Sequence, residues 1–297
     1  MQRAAVPGGR GASALGPGAA LSANSPSDAM GDAVAGSSTA YATRAKRMLR
    51  LGLHLGSGVF LAALVYPRCA AERQHAMIQR WSKRLLLILN IKLHCYDQPR
   101  ALPAKCLLLA NHVSWLDIFA ISAVFPATFV AKADIRAWPF LGMLCERTGT
   151  IFIERGSSRG ARRANREIAQ ALNRGIRPVV VYPEGTTTLG ADLKPFRPAL
   201  LQSAVDTAAL VHPLALRYVD SRGARTEEAA WVGDASLLDS IVAIVRQPEI
   251  ALELRFLGAW PGAAHTRREI AVRAQTVIAR ALGMPCAAAP GAWAEAV

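Results

Sequence analysis

The stretch LLLANHVSWLDIFAISA, residues 107 to 123, sets a histidine and an aspartate between two apolar runs. It reads as a buried strand from Leu107 to Ala110, a polar corner at Asn111 and His112, and an apolar helix starting near Trp115. On one continuous helix, positions five apart point about 140° away from each other, so His112 and Asp117 meet only across a corner. There, a carboxylate reaching the imidazole would fix its tautomer and leave the second nitrogen to accept a proton. It would also stabilise the imidazolium formed when a hydroxyl is deprotonated. The same residues fit a plain helix start, with Ser114 as N-cap and Asp117 three positions on in a capping box. Spacing leaves the two readings even.

Three more polar clusters lie at strand ends, where ligands collect in α/β sheets. TIFIERGSSRG ends on Glu154 and Arg155, and VVVYPEGTTT on Glu184, Gly185 and threonines beginning at Thr186. Arg155 could hold a phosphate or polar head group, and Gly185 would let the backbone approach a ligand or an oxyanion. Taken singly, each also fits a solvated loop, with Glu184 and Thr186 as turn or cap residues. KADIRAWPFLG, residues 132 to 142, offers Lys132 and Arg136, types more often solvated than functional.

A rival chemistry lies in Gly156-Ser157-Ser158-Arg159-Gly160, which has nucleophile-elbow spacing between an expected strand and helix and would make Ser158 a nucleophile. The usual chain order then requires His212 or His265 as its partner, and either serine also suits the N-cap of the following helix.

The elements that must position these groups alternate. Strands are expected at 106–110, 128–132, 150–154, 178–183, 209–216 and 250–256, and helices near 115–124, 138–147, 159–174, 197–207, 234–246 and 266–282. Apolar strands interleaved with helices indicate an α/β sandwich whose sheet is buried on both faces. Ahead of it, residues 1–43 are expected to be a disordered tail, because an Ala, Gly, Ser and Pro-rich segment cannot bury enough surface to order itself. A start codon set too early, with Met30 and Met48 downstream, would explain that segment equally well.

Residues 44–98 hold two apolar runs flanked by basic residues, the first from Leu51 to Tyr66 and the second LLLILNI. The first is shorter than the roughly 20 residues of a span and contains His54. A helical pair lying on or in one leaflet is expected, with a core-packed hairpin and a single span as the alternatives. The α/β domain is then 99–285, with a C-terminal tail at 286–297.

The formal charge of +14 and pI near 10.3 favour an acidic partner. With only 6% aromatic residues and no zinc-finger or RNA-recognition spacing, nucleic acid is not expected. Five scattered cysteines fit reduced core thiols in a cytosol-facing protein, and no metal site is suggested.

Read in order, NHVSWLD, TIFIERG, VYPEGTTT and LVHPLAL resemble the four blocks of the glycerolipid acyltransferase family of the 1-acyl-sn-glycerol-3-phosphate type. FVAKADIRAWPFLG resembles the segment that family carries between its first two blocks, and the likeness covers roughly residues 80 to 220. It implies acyl transfer from acyl-CoA or acyl carrier protein to a lysolipid hydroxyl, at the cytosolic face of the inner membrane and with no metal or other cofactor. His112 would be the general base, oriented by Asp117. Asn111, Lys132, Arg155, Glu184, Gly185 and Thr186 would lie on the acceptor side, and Pro213 on the acyl-donor side.

In the third block this sequence has Thr187 where many phosphatidate-forming members have arginine or serine, and Glu-Gly-Thr-Thr resembles the lyso-ornithine lipid branch. Lysophosphatidate is the first expectation for the acceptor and lyso-ornithine lipid the second. From other classes, a serine lipid hydrolase using Ser158 and a non-catalytic membrane-binding protein are the rivals.

Overall fold

The computed structural model describes residues 39–138, 141–154 and 156–285. Residues 1–38 of the tail expected at 1–43, the tail expected at 286–297 and Arg155 lie outside the described residues. Helix α1 (Tyr41–Phe60) begins three residues inside the segment expected as a tail, then runs through a π turn (Leu61–Val65) and a 3-10 turn (Tyr66–Arg68) that contains Pro67. Arg47 ties it down, donating to the carbonyls of Val245 (3.2 Å), Gln247 (2.6 Å) and Pro248 (3.0 Å). Arg47 therefore fastens α1 to the end of a later helix, Leu237–Arg246, and the loop that follows it.

Helix α2 (Ala71–Leu89) stops at Asn90, whose φ of 57° is the left-handed C-cap conformation. The chain then enters β1 (Ile91–Tyr96). This corrects the expected helical pair over 44–98: its last residues are a strand, and Leu85, Leu86, Ile88 and Leu89 of α2 are core residues of the sandwich. The core-packed alternative holds for the C-terminal half of α2, because those four side chains together bury several kcal/mol of apolar surface, at about 1.5–3 kcal/mol each.

The chain continues through β2 (Cys106–Ala110), α3 (Leu116–Val124), β3 (Thr128–Lys132), α4 (Leu141–Arg147), β4 (Ile151–Ile153), α5 (Ser158–Arg174) and β5 (Val179–Val181). It ends with α6 (Gln202–Asp206), β6 (Leu210–Val219), α7 (Leu237–Arg246), β7 (Ile250–Phe256), β8 (Trp260–Pro261) and α8 (Arg267–Leu282). Among the described residues these strands form one sheet in the order β1-β7-β6-β2-β5-β3-β4, with β8 on β6. All neighbours on that path are parallel except β6 and β7.

Strand β2 is fully buried along its length, as a central parallel strand requires, and its alternation divides the core in two. Leu108 and Ala110 face the layer of α2, α3 and α7, while Leu107 and Leu109 face the layer of α5, α6 and α8. The expected two-faced α/β sandwich is what the chain forms. Because β2, β5, β3 and β4 run parallel, their C-terminal ends share one edge of the sheet, and the polar clusters sit there.

Candidate active site

The corner after β2 is held from all sides. Asn111 is fully buried and exchanges two hydrogen bonds with the backbone of Leu216 on β6, donating to its carbonyl (3.0 Å) and accepting from its amide (2.8 Å). The carbonyl of His112 accepts from Thr188 N (2.9 Å), and that of Val113 from Trp231 N (3.0 Å).

Inside this corner Asp117 is completely buried. Its Oδ2 lies 2.8 Å from His112 Nδ1 and accepts from the amides of Val113 (2.8 Å) and Ser114 (3.0 Å). Its Oδ1 accepts from the Tyr218 hydroxyl at 2.6 Å. One carboxylate thus engages the imidazole and braces the backbone ahead of the helix; the expected Ser114 capping box does not form, because the N-cap is Trp115 and no side chain caps it. With a carboxylate on Nδ1, the proton belongs on that nitrogen and Nε2 is left as an acceptor. The His112 side chain is 19% exposed, so the pair lies at the surface edge and not inside the core. The Tyr182 ring stacks on the imidazole with centroids 3.9 Å apart and 13° between planes.

Glu184 is 1% exposed, and both of its oxygens are engaged by backbone: Oε1 by His112 N (2.8 Å) and Oε2 by Lys194 N (3.0 Å). Burial pushes its carboxyl up to about 7, against the opposing pull of those two amides. Gly185 has φ +71°, a conformation that favours glycine, and lets the chain turn straight after Glu184. Thr186 is half-buried beside it, and the Thr187 hydroxyl donates to the Trp231 carbonyl.

Lys132 ends β3 on the same sheet edge, exposed and paired with Asp134. Pro213 is buried in β6 opposite Leu109, within the sheet. The structure therefore joins His112, Asp117 and Glu184 by hydrogen bonds, ties Asn111 to β6 instead, and leaves Lys132 and Pro213 outside that network. Sequence reasoning missed Tyr218, Trp231 and the Lys194 amide. Only Tyr218 carried a signal, as a residue in phase with Leu214 and Leu216 on the inward face of β6.

The elbow reading has no geometry behind it. Ser157, not Ser158, caps α5, accepting from Gly160 N at 3.2 Å. Gly160 is required for packing, since a Cβ there would stand 2.5 Å from the Glu154 carbonyl oxygen. Among the described residues no histidine bonds Ser158; His212 has a buried, unpartnered Nε2 beside Phe256, and His265 meets Arg273.

The family model that matches, over residues 92–217, is described as Acyltransferase. The chain is 37% identical over 217 residues to a 1-acyl-sn-glycerol-3-phosphate acyltransferase of Neisseria meningitidis, covering 73% of this chain and 84% of that one. It is 34% identical over 235 residues to a lyso-ornithine lipid O-acyltransferase of Pseudomonas aeruginosa, covering 79% and 89%. The crystal structure of the 1-acyl-sn-glycerophosphate (LPA) acyltransferase PlsC from Thermotoga maritima shares the fold, with a TM-score of 0.61 at 17% identity over 82% of this chain and 94% of that one. The chain belongs to this acyltransferase family and is an acyltransferase.

Proposed function

We propose that the enzyme moves an acyl group from an acyl-CoA or acyl carrier protein thioester to the hydroxyl of a lysolipid, with lysophosphatidate as acceptor and phosphatidate as product. The observation that carries this reading is the bond from His112 Nδ1 to a buried, fully engaged Asp117, which leaves Nε2 as the basic nitrogen at the site edge. Nε2 takes the acceptor's hydroxyl proton as that oxygen attacks the thioester carbonyl. When the tetrahedral adduct collapses, the carbon–sulfur bond breaks and the imidazolium returns the proton to the departing thiolate, giving ester and free thiol. Such general-base help is worth about 10²- to 10⁴-fold. No covalent acyl-enzyme is needed.

Lys132 and Arg155 are the cations proposed for the acceptor phosphate, with Gly185 and Thr186 shaping the backbone beside it. Asn111 and Glu184 act through the corner they hold, because neither side chain is open to a ligand. Pro213 acts on the acyl-donor side through the packing of β6 against β2.

One observation favours a lyso-ornithine acceptor as the second reading. Thr187 is neutral, and its hydroxyl is already committed to Trp231, so this position offers no cation to a phosphate.

The lysolipid's own chain stays in the bilayer, so the proposed site of action is the membrane surface, on the cytosolic face of the inner membrane. Supporting this, the helical segment Tyr41–Arg68 has a mean hydropathy of 1.7 over its apolar window, only 17% of which is buried. Leu49, Leu53, Phe60 and Leu64 are exposed along it.

The test is acyl transfer by the purified full-length protein in mixed micelles. Lysophosphatidate and lyso-ornithine lipid are offered side by side, with each donor in turn, to wild type and His112→Ala. Loss of transfer in a folded His112→Ala supports the mechanism, and the preferred acceptor names the substrate. Full activity in that variant removes His112 from the chemistry.

A further inference from the structure

Asp117 has two carboxylate oxygens, and the acid–base reading uses only one of them. The other, Oδ1, is bound by Tyr218, which lies on β6 and is 2% exposed. Two residues earlier on the same strand, Leu216 is gripped by the side chain of Asn111. β6 therefore holds the corner at both ends, through the Leu216 backbone at Asn111 before the histidine and through the Tyr218 side chain at Asp117 after it.

We infer that Tyr218 is a positioning residue for the reaction, whose hydroxyl fixes the carboxylate plane of Asp117 so that Oδ2 stays on His112 Nδ1. The inference rests on the general-base reading above. Oδ2 carries His112 Nδ1 and two backbone amides, all from one side of the carboxylate and all within five residues of it. Those contacts are local and move with the corner. Tyr218 comes from 101 residues further along the chain and is the bond that references the carboxylate to the sheet. A buried phenol is a suitable donor here, since burial and the neighbouring Asp117 push its ionisation well above the ordinary range and keep the proton on it. With the hydroxyl gone, Oδ1 would be a bare acceptor in a dry site, and the carboxylate would be free to rotate towards other donors. The imidazolium formed in the transition state would lose part of its counter-charge, while substrate binding would not change, because Tyr218 is buried beneath the corner.

The experiment is Tyr218→Phe, alone and combined with Asp117→Asn, in the full-length protein, with kcat and KM measured for the better acceptor and folding checked by thermal melt. The expected result is a kcat lower by about tenfold with KM within twofold of wild type, a fraction of the about 10²- to 10⁴-fold owed to the base. In the Asp117→Asn background the same substitution should change kcat by less than about twofold, because its route of action is already gone. A Tyr218→Phe enzyme with wild-type kcat overturns the inference, as does a tenfold loss that simply multiplies that of Asp117→Asn. Failure to fold also overturns it, since the hydroxyl would then be holding the structure and not the reaction geometry. His112→Ala separates the two levels: if it is active, the general-base reading falls; if it is inactive while Tyr218→Phe is normal, only the role of Tyr218 falls.

Discussion

Glu184 Oε1 accepts a hydrogen bond from the backbone amide of His112 at 2.8 Å, so the end of β5 is fastened directly to the residue that carries the proposed base. The other oxygen reaches Lys194 N at 3.0 Å and fixes the loop that follows. In Glu184→Gln, the amide oxygen satisfies one of these donors while the NH2 group faces the other, donor against donor. The expected cost is about 1–3 kcal/mol of stability, with a fall in kcat greater than any change in KM. Denaturant melts and steady-state kinetics on the same preparation check both.

The same carboxyl gives a pH dependence with a definite sign. Burial raises it from an ordinary 4.5 to about 7, so between those values the native state keeps a proton that the unfolded chain has released. Its contribution to stability is therefore full below about 4.5, declines as pH rises, and is lost by about 7. The total is on the order of 3 kcal/mol. Wild type should lose more stability than Glu184→Gln between pH 5 and pH 8, and parallel curves for the two proteins would contradict the assignment.

Asn111→Ala removes both bonds to Leu216 and strands a buried amide and a buried carbonyl on β6. At about 1–3 kcal/mol for each group left unsatisfied, the variant should melt many degrees lower and be less active at any temperature near its midpoint. Asn111→Asp keeps the acceptor for Leu216 N but loses the donor to its carbonyl, and should fall between alanine and wild type in thermal melts.

Much of this arrangement was legible in the sequence. The strand CLLLA, the corner at His112 and the helix carrying Asp117 follow from a short apolar run broken by polar residues, and that signal is local. β1 was not legible as a strand, because its apolar residues continue those of α2 and the stop is a single left-handed Asn90. The helix expected over 197–207 is only Gln202–Asp206, since Pro198 begins a separate 3-10 turn. Tyr218 was legible only as an inward residue of β6; its bond to Asp117, like that of Trp231 to Val113, was not, because each reaches the corner from about a hundred residues away, through a strand register or loop path that no local pattern encodes.

The rival nucleophile gives a simple negative test. Ser158 is the exposed first residue of α5, beside the serine that caps it, so Ser158→Ala should leave acyl transfer within about twofold of wild type. An active-serine probe should label neither protein. Loss of transfer in Ser158→Ala would revive the elbow chemistry.

Membrane engagement should divide into two separable parts. Leu53 is 68% exposed and Phe60 59%, on a helix whose other side packs against the domain through Leu51 and Gly58. If those side chains enter the acyl region of the bilayer, each contributes about 1.5 kcal/mol, or roughly a tenfold change in partitioning. Leu53→Gln with Phe60→Gln should then weaken sedimentation with anionic vesicles by about a hundredfold at any ionic strength. Lys46 and Arg50 are exposed on the same helix, and Lys46→Gln with Arg50→Gln should weaken binding only at low salt, because exposed charges are screened beyond about 8–10 Å at physiological ionic strength. The leucine and phenylalanine changes should raise the apparent KM for micellar lysolipid while leaving kcat intact, since α1 lies outside the hydrogen-bonded corner that carries His112. A fall in kcat with unchanged vesicle binding would instead make α1 part of the catalytic scaffold.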